Sequence, residues 1–129
     1  MATVIKEIEL EASAGKAWAL LRDFGAAHLA FPGVLTDSRL DGDVRSVTFA
    51  NGQVVRERIV TIDDARRRLA YGVIEGRFRH HSASIEVIAA GPQNCRVIWT
   101  GDFLPDEAAG VVAPLFELGA AALRRALTA

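Results

Sequence analysis

Cysteine is almost missing from this chain of 129 residues. The single one, Cys95, excludes an internal disulfide framework and a zinc site built from cysteines. Histidine is nearly as scarce. His28, His80 and His81 are the only three, and no H-x-H or H-E-x-x-H spacing occurs. Neighbouring strand residues point to opposite faces, so His80 and His81 cannot easily share one ion. We expect no metal and no cofactor. An excess of one charge is also lacking, with 15 basic against 16 acidic side chains and a net charge of −1. A constitutive nucleic-acid binder would carry a basic excess on one face. The triplet Arg66-Arg67-Arg68 follows Asp63-Asp64 and reads as a solvated turn. No apolar run approaches the roughly 18 residues of a membrane span. Residues 1–10 alternate charged and apolar side chains instead of offering the apolar stretch of a signal peptide. The expectation is a cytoplasmic protein. None of Ser13, Ser38, Ser46, Ser82 and Ser84 stands in a G-x-S-x-G elbow. Ala14-Gly15-Lys16 lacks the first Gly and the following Ser/Thr of a phosphate loop.

What is present is apolar: half of the residues, enough to exclude disorder and to build a core in one domain, residues 1–129. Arginine supplies 13 of the 15 basic residues and alanine is abundant, a composition typical of a GC-rich bacterial genome. Residues 3–11 alternate and read as a strand. Ser13 is placed to cap a helix running to about Arg22. A second short helix covers about 26–30 and ends at Phe31-Pro32-Gly33. Strands follow near 34–41, 44–50, 53–63, 68–75, 82–90 and 95–103. They are broken at Asp41-Gly42-Asp43, Ala50-Asn51-Gly52, Asp63-Asp64-Ala65, Glu75-Gly76 and Gly91-Pro92-Gln93-Asn94. From about Asp106 the apolar residues recur at 115/116, 119, 122/123 and 126/127, the period of a helix. Pro114 fits only near its start or at a kink.

This order defines an α+β domain with a seven-stranded antiparallel sheet. One long helix covers only part of a sheet that wide. A curved sheet wrapped around it leaves an apolar hollow of ligand size. Parity assigns Val55, Ile59, Thr61 and Glu57 to the inner face, with Leu69, Tyr71 and Val73, His81, Ala83, Ile85 and Val87, and Val97, Trp99 and Phe103. Asn51-Gly52 most often marks a two-residue hairpin loop. That register would put Val47 and Phe49 beside Arg56 and Arg58. A three-residue loop ending in a left-handed Gly pairs 47 with 55 and 45 with 57, and sets Arg45 opposite Glu57 on the inner face.

The hollow's expected lining is Phe31, Val47, Phe49, Val55, Ile59, Tyr71, Ile85, Trp99, Leu115, Phe116 and Gly119. Tyr71 and Trp99 could hold an aromatic ligand, with hydroxyl or indole N–H setting its orientation; either could equally be core. Arg45 and Glu57 are either a structural ion pair or a ligand-orienting and acid/base pair. His81 is either a rim residue or a proton carrier.

Several stretches resemble a known family. Ala17-Trp18-Ala19-Leu20-Leu21-Arg22-Asp23-Phe24 resembles its first helix. Gly42-Asp43-Val44-Arg45-Ser46-Val47 and Val55-Arg56-Glu57-Arg58-Ile59 resemble its hairpin. Ile62-Asp63-Asp64, Leu69-Ala70-Tyr71, Trp99 and Asp102-Phe103-Leu104-Pro105 resemble the strands that follow. The order of elements resembles the START and birch-pollen-allergen (SRPBCC) helix-grip superfamily, and within it the small bacterial polyketide cyclase/dehydrase-like proteins. The resemblance implies a sheet gripping the C-terminal helix and a hydrophobic ligand such as a polyketide, lipid or plant aromatic. It assigns no uniform chemistry to Arg45, Glu57, Tyr71 or Trp99, since fold does not decide function.

Three functions follow as expectations. The first is a carrier of a hydrophobic or aromatic small molecule. The second is a cyclase or dehydratase in which Glu57 and His81 exchange protons and Arg45 steadies an anion. The third is a protein-interaction module with a filled hollow. A homodimer is an open alternative for the assembly. A hollow collapsed to a packed core, below the drug-sized volume of about 300 Å³, would remove the basis of the first two.

Overall fold

The computed structural model describes residues 2–75 and 78–128. Strand β1 (Ala2–Leu10) is followed by helix α1 (Ala14–Leu21), a 3-10 turn (Phe24–Ala26) and the short helix α2 (Ala27–Ala30). Six strands come next: β2 (Leu35–Asp41), β3 (Val44–Phe49), β4 (Val54–Asp63), β5 (Arg68–Glu75), β6 (His80–Gly91) and β7 (Asn94–Leu104). A second 3-10 turn (Asp106–Ala108) leads into α3 (Ala109–Thr128). The expected second helix and C-terminal helix therefore each begin as a 3-10 turn. Pro114 lies in the second turn of α3, where it removes the hydrogen bond to the Gly110 carbonyl. The break expected at Glu75-Gly76 falls partly outside the described residues. No described helix is long and apolar enough to cross a membrane.

Every strand pairing is antiparallel, in the order β1-β7-β6-β5-β4-β3-β2. The chain meanders from β2 to β7, and β1 closes on β7. Short turns dictate this, because only antiparallel neighbours can be joined by so few residues. The β3–β4 turn has three residues. Phe49 N–H donates to Gln53 O at 2.8 Å, Gly52 N–H donates to Phe49 O at 2.9 Å, and Gly52 takes φ +90°. Val47 then pairs with Val55 and Arg45 with Glu57. The left-handed Gly decides a register that one residue fewer would have inverted.

Among the residues that parity assigned to the inner face, Thr61 is the exception. The β4–β5 register shifts between Ile59 and Thr61, leaving Val60 unpaired and 69% exposed. Beyond this bulge Thr61 pairs with outward Ala70, and Ile62 pairs with inward Leu69. Thr61, expected on the inner face with Glu57, is thus turned away, and Ile62 packs against the core in its place. A bulge flips all later side chains, and nothing in an alternating pattern announces it.

The concave face carries the core. Ile8, Leu69, Val97 and Phe103 are almost fully buried. Leu123, Ala120, Ala122 and Leu127 of α3 come down onto the sheet, with Trp18 and Leu21 of α1 beside them. A smaller cluster of Phe103, Ala108, Val112 and Phe116 stands apart, and Trp99 packs against both. Lys6, on the inward parity of β1, reaches Glu117 of α3 at 2.8 Å. Arg125 donates to the Pro32 carbonyl at 2.9 Å and ties α3 to the loop before β2.

One polar contact locks α1 over the β4–β5 turn. Ser13 caps α1 by accepting the Lys16 N–H at 3.1 Å. Asp64 then accepts from Trp18 Nε1 at 2.9 Å and from Arg22 Nε at 2.8 Å. The hydrogen bond from Arg22 comes first, then that from Trp18, in holding the Asp64 carboxyl below its usual value of 3.8. A lowered pKa means that stability is present above the unfolded value and lost as pH falls through the folded one. Asp64→Asn should therefore unfold at lower temperature than wild type at pH 7, with a smaller difference at pH 3. Thermal unfolding followed by circular dichroism at the two pH values tests this; an equal gap at both would rule out the charged contact.

Candidate functional site: a cavity under the C-terminal helix

α3 packs on the sheet side with both halves, burying Val112 and Phe116 against Phe103 and Trp99 in its first half and Ala120, Leu123 and Leu127 in its second. Beneath the first half lies a cavity of about 230 Å³. Val111 and Leu115, 40% and 36% exposed, line it from α3, and Asn51 and Gln53 line it from the β3–β4 turn. Its opening therefore lies between helix and hairpin. The volume is below the roughly 300 Å³ of a drug-sized pocket, so the expectation of drug-sized space is corrected downward. The cavity has not closed into packed core either. An apolar cavity of about 150 Å³ is enough for benzene.

One wall is aromatic. Trp99 and Phe116 stack face to face, with centroids 3.9 Å apart and planes at 9°. Phe31 lies against Trp99 at 5.4 Å. Two glycines make this close packing feasible. A Cβ at Gly119 would come within 2.7 Å of the Trp99 ring, and one at Gly101 within 2.7 Å of Phe103 and 3.0 Å of Phe116. Phe78 extends the array to His81 and Phe103.

The opposite end is polar and closed. Arg45 Nε donates to Glu57 Oε1 at 2.6 Å, with both side chains less than a tenth exposed. The Arg45 guanidinium lies 3.8 Å from the Phe24 ring centroid and 4.8 Å from that of Tyr71, and donates to the Phe24 carbonyl at 3.3 Å. Cation–π contact and hydrogen bonds offset the loss of water around this cation. Burial, and then the charge of Glu57, push the Tyr71 hydroxyl far above its usual value, so it stays protonated. Burial, and then His80, lower His81 to about 4. Its imidazole is neutral at pH 7 and has no second proton to donate. No hydrogen bond joins it to Glu57 among the described residues; its ring lies 4.4 Å from that of Phe103.

Arg45, Glu57 and His81 all line the cavity, as do Phe31, Val47, Phe49, Val55, Tyr71, Trp99, Leu115, Phe116 and Gly119. Ile59 and Ile85 do not. Ile85 is 4% exposed in the main core, further along β6 from His81 where α1 covers the sheet. Ile59 packs against that core one residue before the bulge. Strand parity gives the face of a residue and not its position along the cavity. Val111 and Val112 were missed although they precede Leu115 and Phe116 by one helical turn. Ala27, Phe78, Asn51 and Gln53 were missed because turns and short helices carry no periodic signal, and Val34 and Leu35 because no inner face was assigned to the strand near 34–41. No group of three or more His, Cys, Asp or Glu able to hold a metal occurs among the described residues.

A sheet that grips a long helix over a small cavity defines a helix-grip protein. The chain belongs to the family described as polyketide cyclase/dehydrase and lipid transport, whose sequence profile matches residues 1–129. No curated protein matches it. A solved protein of Bacillus thuringiensis is similar at 23% identity and TM-score 0.91, over 99% of this chain and all of that one. A Thermobifida fusca protein solved by NMR is 31% identical, TM-score 0.82, over 98% of this chain and 93% of that one. Norcoclaurine synthase of Thalictrum flavum, in complex with dopamine and hydroxybenzaldehyde, shares the fold at 23% identity and TM-score 0.68, over 95% of this chain and 84% of that one.

Glu57→Ala would leave the Arg45 charge buried without its partner and should cost about 3–5 kcal/mol. Replacing both, Arg45→Met with Glu57→Leu, should recover most of that loss. Urea unfolding of wild type and the two variants measures it; a double variant as unstable as the single would contradict an ion pair whose charges balance only each other.

Proposed function

We propose that this protein binds a small hydrophobic or aromatic molecule, of one or two rings, in the cavity under α3. The observation that carries the reading is an aromatic-walled cavity of about 230 Å³ opening beside the β3–β4 turn. Membership of a family of polyketide cyclases, dehydrases and lipid transporters supports it at the level of ligand class. The similar fold of norcoclaurine synthase holds single-ring aromatics in a solved complex, which supports the size. A long acyl chain or a four-ring polyketide exceeds the volume. In a cyclase or dehydratase, Glu57 would act as a base through the carboxylate oxygen that Arg45 does not hold, and neutral His81 could only accept a proton.

Calorimetric titration with acetophenone, 2-naphthol, palmitate and progesterone distinguishes the sizes. Saturable 1:1 binding of the first two and none of the last two is expected. Binding of palmitate or progesterone without the small aromatics would contradict the proposal.

A further inference from the structure

The closed end of the cavity leaves one carboxylate oxygen unused. Glu57 is 6% exposed and lines the cavity. A carboxylate accepts hydrogen bonds at about four sites on its two oxygens. Oε1 takes the Arg45 Nε–H at 2.6 Å. Oε2 takes no hydrogen bond among the described residues, yet it keeps accessible surface. Hydrogen bonds to an ionised acceptor are roughly twice as strong as neutral ones. A ligand that displaces water from this oxygen must replace the hydrogen bond or lose affinity.

The charges around the cavity decide what kind of donor fits. Arg45 is already committed. Its Nε is bound to Glu57 and its Nη1 to the Phe24 carbonyl, and the rings of Phe24 and Tyr71 lie over the guanidinium. Tyr71 and His81, the other titratable side chains of the lining, carry no charge at pH 7. An anionic ligand would bring its charge against Glu57 and find no free counter-ion. An ammonium ligand would bring its charge against Arg45. The fitting donor is therefore neutral. Among neutral ring substituents a hydroxyl has a more acidic proton than an amino group, and bonds a carboxylate more strongly. Resting on the reading of this cavity as a ligand site, we propose that its ligand is an uncharged one-ring phenol whose O–H donates to Glu57 Oε2. The ring extends from there into the apolar part of the cavity.

4-Nitrophenol, yellow only when ionised, and 4-nitrotoluene test this, since hydroxyl and methyl groups are similar in size. At a pH where half of the free phenol is ionised, the ligand bound to the wild-type protein should be the colourless phenol. Its affinity should fall as pH rises further. This readout needs no variant. In the double variant Arg45→Met with Glu57→Leu, the affinity of 4-nitrophenol relative to 4-nitrotoluene should drop about tenfold, the loss of one charge-assisted hydrogen bond. Taking this ratio cancels the different hydration of the two ligands. Bound yellow phenolate with affinity that rises with pH, or an unchanged ratio in the variant, would overturn the donor assignment while leaving ring binding intact. Binding of neither ligand would remove the ligand-site reading itself, and the inference with it.

Discussion

The missing side chain at position 119 sets how the long helix meets the sheet. A methyl group there would sit 2.7 Å from the Trp99 ring, nearer than real Cβ contacts come. With glycine, the indole lies flat against α3 and stacks on Phe116. That stack packs the first half of the helix on the sheet side, and Ala120, Leu123 and Leu127 pack the second half. Space is left beside the stack, because protein interiors fill gaps only with side chains that can reach. The cavity is thus a consequence of helix, sheet curvature and one aromatic stack.

The buried ion pair gives the same space a polar boundary without giving it charge. Its position depends on the three-residue turn at Ala50-Asn51-Gly52, which sets Arg45 opposite Glu57. Phe24, from the turn after α1, covers the guanidinium and accepts one of its hydrogen bonds. Two distant segments are thereby fixed relative to each other at the closed end. Protonated Tyr71 and neutral His81 extend this uncharged character along the wall. A pair of this kind adds little net stability compared with apolar residues of the same volume; its effect here is to define register and polarity.

The sequence carried the fold in unusual detail because turn chemistry repeatedly agreed with strand periodicity. Ser13 before α1, Gly52 in the hairpin and Pro92-Gln93 between β6 and β7 each marked a boundary where one occurs. The hairpin register followed from asking which loop length puts Val47 and Phe49 on the face opposite Arg56 and Arg58. Alternation could not reveal the Val60 bulge, which turned Thr61 outward, nor the depth of the cavity, which excluded Ile59 and Ile85 from its lining. The close approach of Gly119 to Trp99 depends on two segments 20 residues apart meeting in space. Periodicity records local faces only; cavity volumes appear when elements are packed together.

The account stands on a ligand occupying the space between Trp99, Phe116 and the β3–β4 hairpin. Intermolecular nuclear Overhauser contacts, recorded on the labelled protein with unlabelled acetophenone, locate the ligand directly. The account predicts contacts from its ring protons to Trp99, Phe116 and Val47. Contacts confined to outer residues such as Val60 or Leu118, or none at saturating ligand, would contradict it.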